Sequence, residues 1–222
     1  MKKVFSILAL VAFFTAAFNA NAQLSINVGY APVTLASETT VAGTTTNSEL
    51  KMNGFFAGLN YNMNLTGDIY LSVGAQARYN LKTEGDTANL IGLVNVSGES
   101  KQTQLLIDVP VLLNYKFDVT NDISLSIFAG PTISYALMGN THTTGSASIL
   151  GIGGGTSNDY DWYGDDSNNE RIDVSGTFGL ELIYQQVKLF GGYRVGFMDL
   201  NKSDNVKTTS SGIFFGFGYL FE

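Results

Sequence analysis

Hydrophobic and polar residues alternate with a period of two in eight separate stretches of the chain. In the third stretch, Ile69, Leu71 and Val73 occupy every second position, and the polar or small residues Ser72 and Gly74 occupy positions of the opposite parity. Strict alternation of this kind predicts a β-strand with two different faces. The eight predicted strands are residues 24–33, 52–62, 68–81, 102–117, 122–137, 171–185, 187–199 and 208–221. Pro110 and Pro131 fall inside two of them, where we expect local bulges or bends because proline removes a ladder donor.

The segments between the predicted strands are alternately long and short. The long segments are residues 34–51, 82–101, 138–170 and 200–207, and the short ones are 63–67, 118–121 and 185–186. Outer-membrane barrels have short periplasmic turns and longer external loops. The sequence therefore predicts an all-β fold, an eight-stranded antiparallel up-and-down transmembrane β-barrel, with both termini at the periplasmic end.

A soluble lipocalin-like binder is the main alternative fold, because such a barrel also has eight strands but turns its apolar face inward around a ligand. The polar positions here are mostly Gly, Ser, Thr, Asn and Gln, which suit a narrow lumen better than a water-exposed face. Tyrosines lie toward the strand ends on the apolar side, as in the aromatic girdles of membrane barrels. They are Tyr30, Tyr61, Tyr79, Tyr115, Tyr135, Tyr184, Tyr193 and Tyr219. Both features favour the membrane barrel.

The first 22 residues have the pattern of a secretory signal peptide. Lys2 and Lys3 precede an apolar run over residues 4–18, and the small residues at 20–22 match an A-x-A cleavage site. We expect a signal peptide at 1–22 and one barrel domain at 23–222, in the cell outer membrane. The net charge of -7 argues against nucleic acid as a partner, and the lack of cysteine excludes thiol catalysis.

Charged residues on the polar faces of the strands predict an ionic network inside the barrel. Three are basic and three acidic: Arg78, Asp108, Lys116, Asp173, Glu181 and Arg194. Buried charges are tolerated only when they are paired, so we expect a hydrogen-bonded plug in which Arg194 pairs with Glu181 or Asp108. Eight strands enclose just enough room for side chains. We therefore expect a structural lumen and no general diffusion of nutrients.

Several segments in the second half of the chain resemble the PorT-type outer-membrane β-barrel proteins of Bacteroidetes, which are similar to the OmpA/OmpX class of eight-stranded barrels. They are IDVPVLLNYKF at 107–117, FAGPTISYAL at 128–137, FGLELIY at 178–184, LFGGYRVGFMDL at 189–200 and the terminal FFGFGYLF. The resemblance implies the barrel fold but no single activity, since members of the family include structural proteins, surface proteins and a secretion accessory factor.

Candidate catalytic and metal-binding residues are few. The only histidine, His142, lies in a predicted loop, where we interpret it as an ordinary solvated residue. Asp159, Asp161 and Glu170 fall at positions 1, 3 and 12 of a calcium loop of the EF-hand type. Tyr163 breaks that pattern, and no helix flanks it, so it predicts at most a weak calcium site. We expect no enzymatic activity and no other cofactor.

The segment 138–170 is the longest predicted loop, and its composition indicates recognition. Tyr160, Trp162 and Tyr163 supply large contact areas at low conformational cost. We expect this loop to project from the cell and to contact lipopolysaccharide, outer-membrane lipids or an unknown protein, after insertion by the barrel assembly machinery. Two further functions stay open, which are a lipid-modifying outer-membrane enzyme and an accessory barrel of a secretion machine.

Overall fold

The computed structural model describes residues 22–90, 94–149, 152–165 and 167–221, and these residues form antiparallel strands joined by turns. The predicted signal peptide lies outside the described residues except for Ala22. The ten strands are β1 (Ala22–Tyr30), β2 (Val33–Val41), β3 (Thr44–Thr66), β4 (Ile69–Leu90), β5 (Val94–Asp118), β6 (Ile123–Ile149), β7 (Ile152–Asp161), β8 (Ile172–Tyr184), β9 (Val187–Gly196) and β10 (Val206–Leu220). No helix in the described part of the chain is long and apolar enough to cross a membrane.

The strands close into a ring with eight positions, which confirms the predicted barrel. β1 and β2 act as the two halves of one barrel strand, because both pair with β10 on one side and with β3 on the other. The ring then continues through β4, β5, β6, β8 and β9, and β9 pairs with β10 to close it. β7 lies outside the ring and pairs with the distal half of β6.

Three of the four long segments predicted as loops are paired β-structure, which corrects the sequence interpretation. Residues 33–41 pair with 44–52, residues 81–90 with 94–103, and residues 140–149 with 152–161. The first of these hairpins turns at Ala42 and Gly43, which both have positive φ, as a tight two-residue hairpin turn requires. We call the end of the barrel that carries these hairpins the long end, and the end with turns at 67–68, 119–122 and 185–186 the short end.

The two prolines do not produce the bulges that we expected. Pro110 pairs with Thr132, and Pro131 pairs with Gly176, without a change of register. The register between β5 and β6 shifts instead at Leu105 and Leu106. Pairing is nevertheless interrupted beside both prolines, because residues 109–110 have no partner on β4 and residues 130–131 have none on β5.

The apolar face of the barrel points outward and the polar face points inward. Leu180 and Phe217 are 55% and 60% exposed on the outside, whereas Ser126, Thr132 and Asp108 are completely buried inside. This arrangement is the reverse of a lipocalin, so the lipocalin-like alternative is wrong. It is the arrangement that a lipid-facing barrel requires.

Aromatic rings fill part of the interior because glycines on neighbouring strands leave space for them. The pairs are Phe56 with Gly29, Phe128 with Gly179, Phe190 with Gly216 and Phe214 with Gly192. A Cβ atom added at Gly192 would overlap the carbonyl oxygen of Phe178 and lie 2.8 Å from Cζ of Phe214. Glycine is therefore required at Gly192 by close approach of both backbone and ring.

Candidate functional site: the barrel interior and the long end

Three charged side chains from opposite walls meet in the middle of the barrel. Arg78 of β4 contacts Asp108 of β5 at two points, with Nε 2.9 Å from Oδ2 and Nη2 3.2 Å from Oδ1. Arg194 belongs to β9, across the ring, and its Nη1 lies 2.8 Å from Oδ2 of Asp108. Asp108 is completely buried, so the two guanidinium groups replace the water that a carboxylate would otherwise bind. Asp108, which is one of the two partners that we expected for Arg194, is thus the observed partner.

Glu181 lies nearer the short end and pairs with a lysine that the sequence analysis missed. Its Oε2 is 3.1 Å from Nζ of Lys188, and its Oε1 is 3.1 Å from the hydroxyl oxygen of Tyr70. Lys188 is buried inside the barrel. The sequence pattern does predict an inward-facing Lys188, because residues 188 and 194 both have even numbers in β9 and therefore lie on the same face of the strand.

The remaining two predicted members of the network lie apart from each other. Lys116 is at the short end, where its Nζ is 3.0 Å from Oδ1 of Asp118 and its side chain is 38% exposed. It lines a cavity there together with Tyr70 and Glu181, but its ion-pair partner is Asp118 and not a member of the predicted network. The hydroxyl of Ser124 and the ammonium of Lys116 hold the pKa of Asp118 below its ordinary value. Asp173 is buried toward the long end, and its Oδ2 accepts a hydrogen bond of 2.5 Å from Ser210.

Trp162 folds inward at the long end and packs inside the mouth of the barrel. It is only 8% exposed and forms an apolar cluster with Val33 and Met52. Its indole Nε1 donates to the hydroxyl oxygen of Thr141 over 2.7 Å, and its backbone N donates to the carbonyl oxygen of Gly139 over 2.8 Å. Trp162 is therefore a structural residue of the mouth and is not displayed on the outer surface, which corrects its predicted role in surface recognition.

The residues after Trp162 are fastened to the barrel wall by Arg171. Its guanidinium donates to the carbonyl oxygens of Ala136 and Leu137, each over 3.2 Å, and to that of Tyr163 over 2.7 Å. The hydroxyl of Tyr163 accepts a hydrogen bond of 2.6 Å from Gln104. Burial raises the pKa of Tyr163, so it stays a neutral phenol. Tyr163 is consequently another residue of the wall.

Tyr160 differs from Trp162 and Tyr163, because its side chain is 52% exposed. It lies on β7 opposite Thr141 of β6. Of the three aromatic residues for which we predicted a role in recognition, Tyr160 is the one exposed on the outer surface.

The candidate catalytic and calcium residues lie on exposed strand or turn. Nδ1 of His142 is 2.5 Å from Oδ1 of Asp159, and their side chains are 49% and 79% exposed. Oδ1 of Asp161 accepts a hydrogen bond of 2.8 Å from the backbone N of Tyr163. Within the described ranges, no group of three or more His, Cys, Asp or Glu residues is placed to hold a metal ion. The fold thus does not bring Asp159, Asp161 and Glu170 together as a ligand group.

A family model described as an outer membrane protein beta-barrel domain matches residues 14–202. The chain belongs to this family. The match covers most of the sequence, and it agrees with the closed ring and the outward apolar face. The protein is accordingly an outer-membrane β-barrel. No curated protein matches the chain.

Solved structures of other outer-membrane proteins are similar to this chain at low identity. Ail, the attachment invasion locus protein of Yersinia pestis, is 15% identical, with 91% of this chain and 100% of that chain covered and a TM-score of 0.33. Neisserial surface protein A is 13% identical, with 91% and 100% covered and a TM-score of 0.36. The outer membrane protease OmpT from Escherichia coli is 11% identical, with 90% and 97% covered and a TM-score of 0.42. At these values the likeness carries no information on activity.

Proposed function

We propose that this protein is a non-enzymatic outer-membrane barrel with a filled interior that displays the hairpins of its long end to another molecule at the cell surface. The partner that we favour is lipopolysaccharide or a surface protein. The protein itself would reach the membrane through the barrel assembly machinery.

The length of the long-end hairpins is the observation that carries this proposal. β6 continues for 12 residues beyond Leu137, from Met138 to Ile149. At about 3.3 Å per residue, these residues span up to roughly 40 Å. Where side chains are described beyond Gly139, none in β6 is buried. A sheet of this size, whose described side chains are not buried, is far larger than a connection between neighbouring strands needs.

The contacts of the interior support a barrel that does not conduct solutes. Arg78, Asp108 and Arg194 bridge opposite walls, and Trp162 packs inside the mouth at the long end. The cavity that Arg78, Asp108 and Arg194 all line is about 40 Å³, which is the volume of one or two water molecules. A nutrient molecule would have to break the buried ion pairs to pass.

Catalysis is a weaker candidate, although His142 does have a carboxylate beside it. The imidazole and Asp159 are both exposed to solvent. Hydrolases of the Ser-His-Asp type place these groups in a shielded site, where their charges are strong because water is excluded. The pair of His142 and Asp159 is therefore better explained as a cross-strand contact that joins β6 and β7.

A finer assignment to the PorT-type barrels is also part of the proposal. It rests on the sequence segments at 107–117, 128–137, 178–184 and 189–200. The role of an accessory barrel in secretion rests on that resemblance alone, so we rank it below surface recognition.

Single cysteines would test the orientation of the barrel in the membrane, because the natural chain has none. Tyr160→Cys at the long end and Val119→Cys at the short end replace side chains that are 52% and 63% exposed. A membrane-impermeant maleimide should label Tyr160→Cys in intact cells, and it should label Val119→Cys only after the outer membrane is opened. The opposite pattern would refute surface display.

Shortening one hairpin would test recognition without removing the residues that close the mouth. Thr144 and Ser157 are paired across β6 and β7, so an Asn-Gly turn can join them and replace residues 145–156. This variant keeps position 160 and Trp162 in place. It should still form a heat-modifiable barrel but lose crosslinks from a photoreactive residue at position 160 to lipopolysaccharide or protein on whole cells. Unchanged crosslinks would contradict the proposed role of the hairpin.

A further inference from the structure

A cavity of about 230 Å³ lies at the long end beside Trp162. Its apolar wall includes Leu35, Leu50 and Leu200, and Trp162 and Tyr163 also line it. Residues of the connections after β7 and β9 contribute to the rim, which places the opening among the long-end connections. A smaller cavity, of about 150 Å³, is known to hold benzene in another protein. This one is therefore large enough for a single ring that carries a short side chain.

Asp173 is the polar lining residue of this cavity that has an unpaired buried acceptor. It lines the wall and is 8% exposed, and its Oδ2 is occupied by Ser210. Among the described residues, Oδ1 has no hydrogen-bond partner, although it is buried. An unpaired buried acceptor costs about 1–3 kcal/mol. A ligand that brings a hydrogen-bond donor to Oδ1 would remove this cost.

The charges around Asp173 indicate that the donor is neutral. Arg78 and Arg194 share the single carboxylate of Asp108, which leaves one positive charge over. Arg78 and Asp173 line the same cavity, and with Asp173 ionised the charges of Arg78, Arg194, Asp108 and Asp173 sum to zero. The other two charged lining residues, Glu170 and Arg171, also balance each other. The nearby Arg171 is already used by three backbone carbonyl groups. A cationic ligand would add an unbalanced charge, whereas a hydroxyl group would not.

We propose that the cavity beside Trp162 binds a small uncharged amphipathic molecule, whose ring or short chain packs on Leu35, Leu50 and Trp162 while its hydroxyl group donates to Asp173. This inference goes beyond surface display, because it concerns a different site and a different class of ligand. It also does not depend on any partner of the hairpins.

Trp162 is the only tryptophan of the chain, so its fluorescence reports directly on this cavity. The purified full-length barrel in detergent would be titrated with 2-phenylethanol and, separately, with its methyl ether, which lacks the donor. The alcohol should produce a saturable change in the emission of Trp162, and the ether should bind at least tenfold more weakly. A hydrogen bond to a charged acceptor is of the size that produces such a ratio. Equal affinity for the two compounds would overturn the role of Asp173.

Two variants and one further probe separate binding in the cavity from partition into the micelle. Leu50→Phe narrows the cavity and should abolish the saturable change, whereas Val41→Phe, at an exposed hairpin tip, should leave it intact. Asp173→Asn should reduce the preference of the alcohol over the ether. The 2-phenylethylammonium ion should bind more weakly than the alcohol. Saturation that survives in Leu50→Phe, or tighter binding of the ammonium ion, would refute the proposal.

Discussion

Replacement of Asp108 by Asn provides the sharpest test of the interior network. The change removes one negative charge but keeps the size of the side chain. It leaves Arg78 and Arg194 facing each other with no carboxylate between them, where Asp108 now accepts contacts of 2.9, 3.2 and 2.8 Å. The side chains of Asp108 and Arg78 are 1% and 7% exposed, so water cannot take over the lost role. Breaking a buried pair of this kind costs about 3–5 kcal/mol.

Asp118→Asn is the matched control for this experiment. The substitution is chemically identical and also removes a carboxylate from an ion pair, because Asp118 lies 3.0 Å from Lys116. Its side chain is 61% exposed, and exposed pairs contribute little to stability. We expect no resolvable change in stability for this variant.

Reversible urea unfolding in detergent, followed by Trp162 fluorescence and by the gel shift between folded and unfolded barrel, would measure both variants. With a slope of about 2 kcal/mol/M, a loss of about 4 kcal/mol lowers the urea midpoint by about 2 M. The midpoint of Asp118→Asn should coincide with that of the wild type. Equal midpoints for Asp108→Asn and Asp118→Asn would show that the central charges do not stabilise the barrel.

Three further substitutions test other parts of the structure by urea unfolding followed by the gel shift, with the barrel in lipid vesicles for the variants of Leu180 and Tyr184 and in detergent for the others. Gly192→Ala should lower the free energy of unfolding by about 1–3 kcal/mol through overpacking inside the barrel. The loss should be larger than for Gly191→Ala on the lipid side, where the nearest atom to the added Cβ is 3.2 Å away. Equal losses would contradict the packing inside the barrel. Leu180→Arg should lower the free energy of unfolding by about 2–4 kcal/mol in a lipid bilayer. Tyr184→Arg should lower it less, because Tyr184 is equally exposed but lies at the strand end. A reversed order would show that Leu180 is not near the midplane of the bilayer. Trp162→Ala should cost about 3–5 kcal/mol, and a variant as stable as the wild type would mean that the ring does not hold the mouth together.

The alternation of residues was sufficient to predict the barrel and the side of each strand that faces lipid. It succeeded from Ile69 to Leu81 because one face there contacts lipid and the other contacts the interior, so the two faces need different side chains. The same parity would have found Lys188, which lies on the face of Arg194. Alternation in the sequence therefore reveals a strand only where its two faces lie in different environments.

The hairpins of the long end escaped the sequence analysis for the same physical reason. The side chains of residues 140–148 and 153–161 are exposed or half-buried on both faces of the hairpin, so both faces are mainly polar and no period of two remains. Their composition of Gly, Ser, Thr and Asn is then the same as that of a loop. Pairing with a neighbouring strand is what makes them β-structure.

Contacts across the barrel were decided only by the tertiary structure. The sequence placed Arg194, Asp108 and Glu181 on inner faces, but the tilt and stagger of the strands set the height at which each side chain enters the lumen. That geometry brings Arg194 to Asp108 and leaves Glu181 to Lys188. Trp162 is a second example. Its neighbours in the sequence resemble those of an exposed recognition loop, but in the folded barrel it is buried against Val33 and Met52, which are distant in sequence. Parity along a strand is a local property, whereas partner choice depends on the closure of the whole ring.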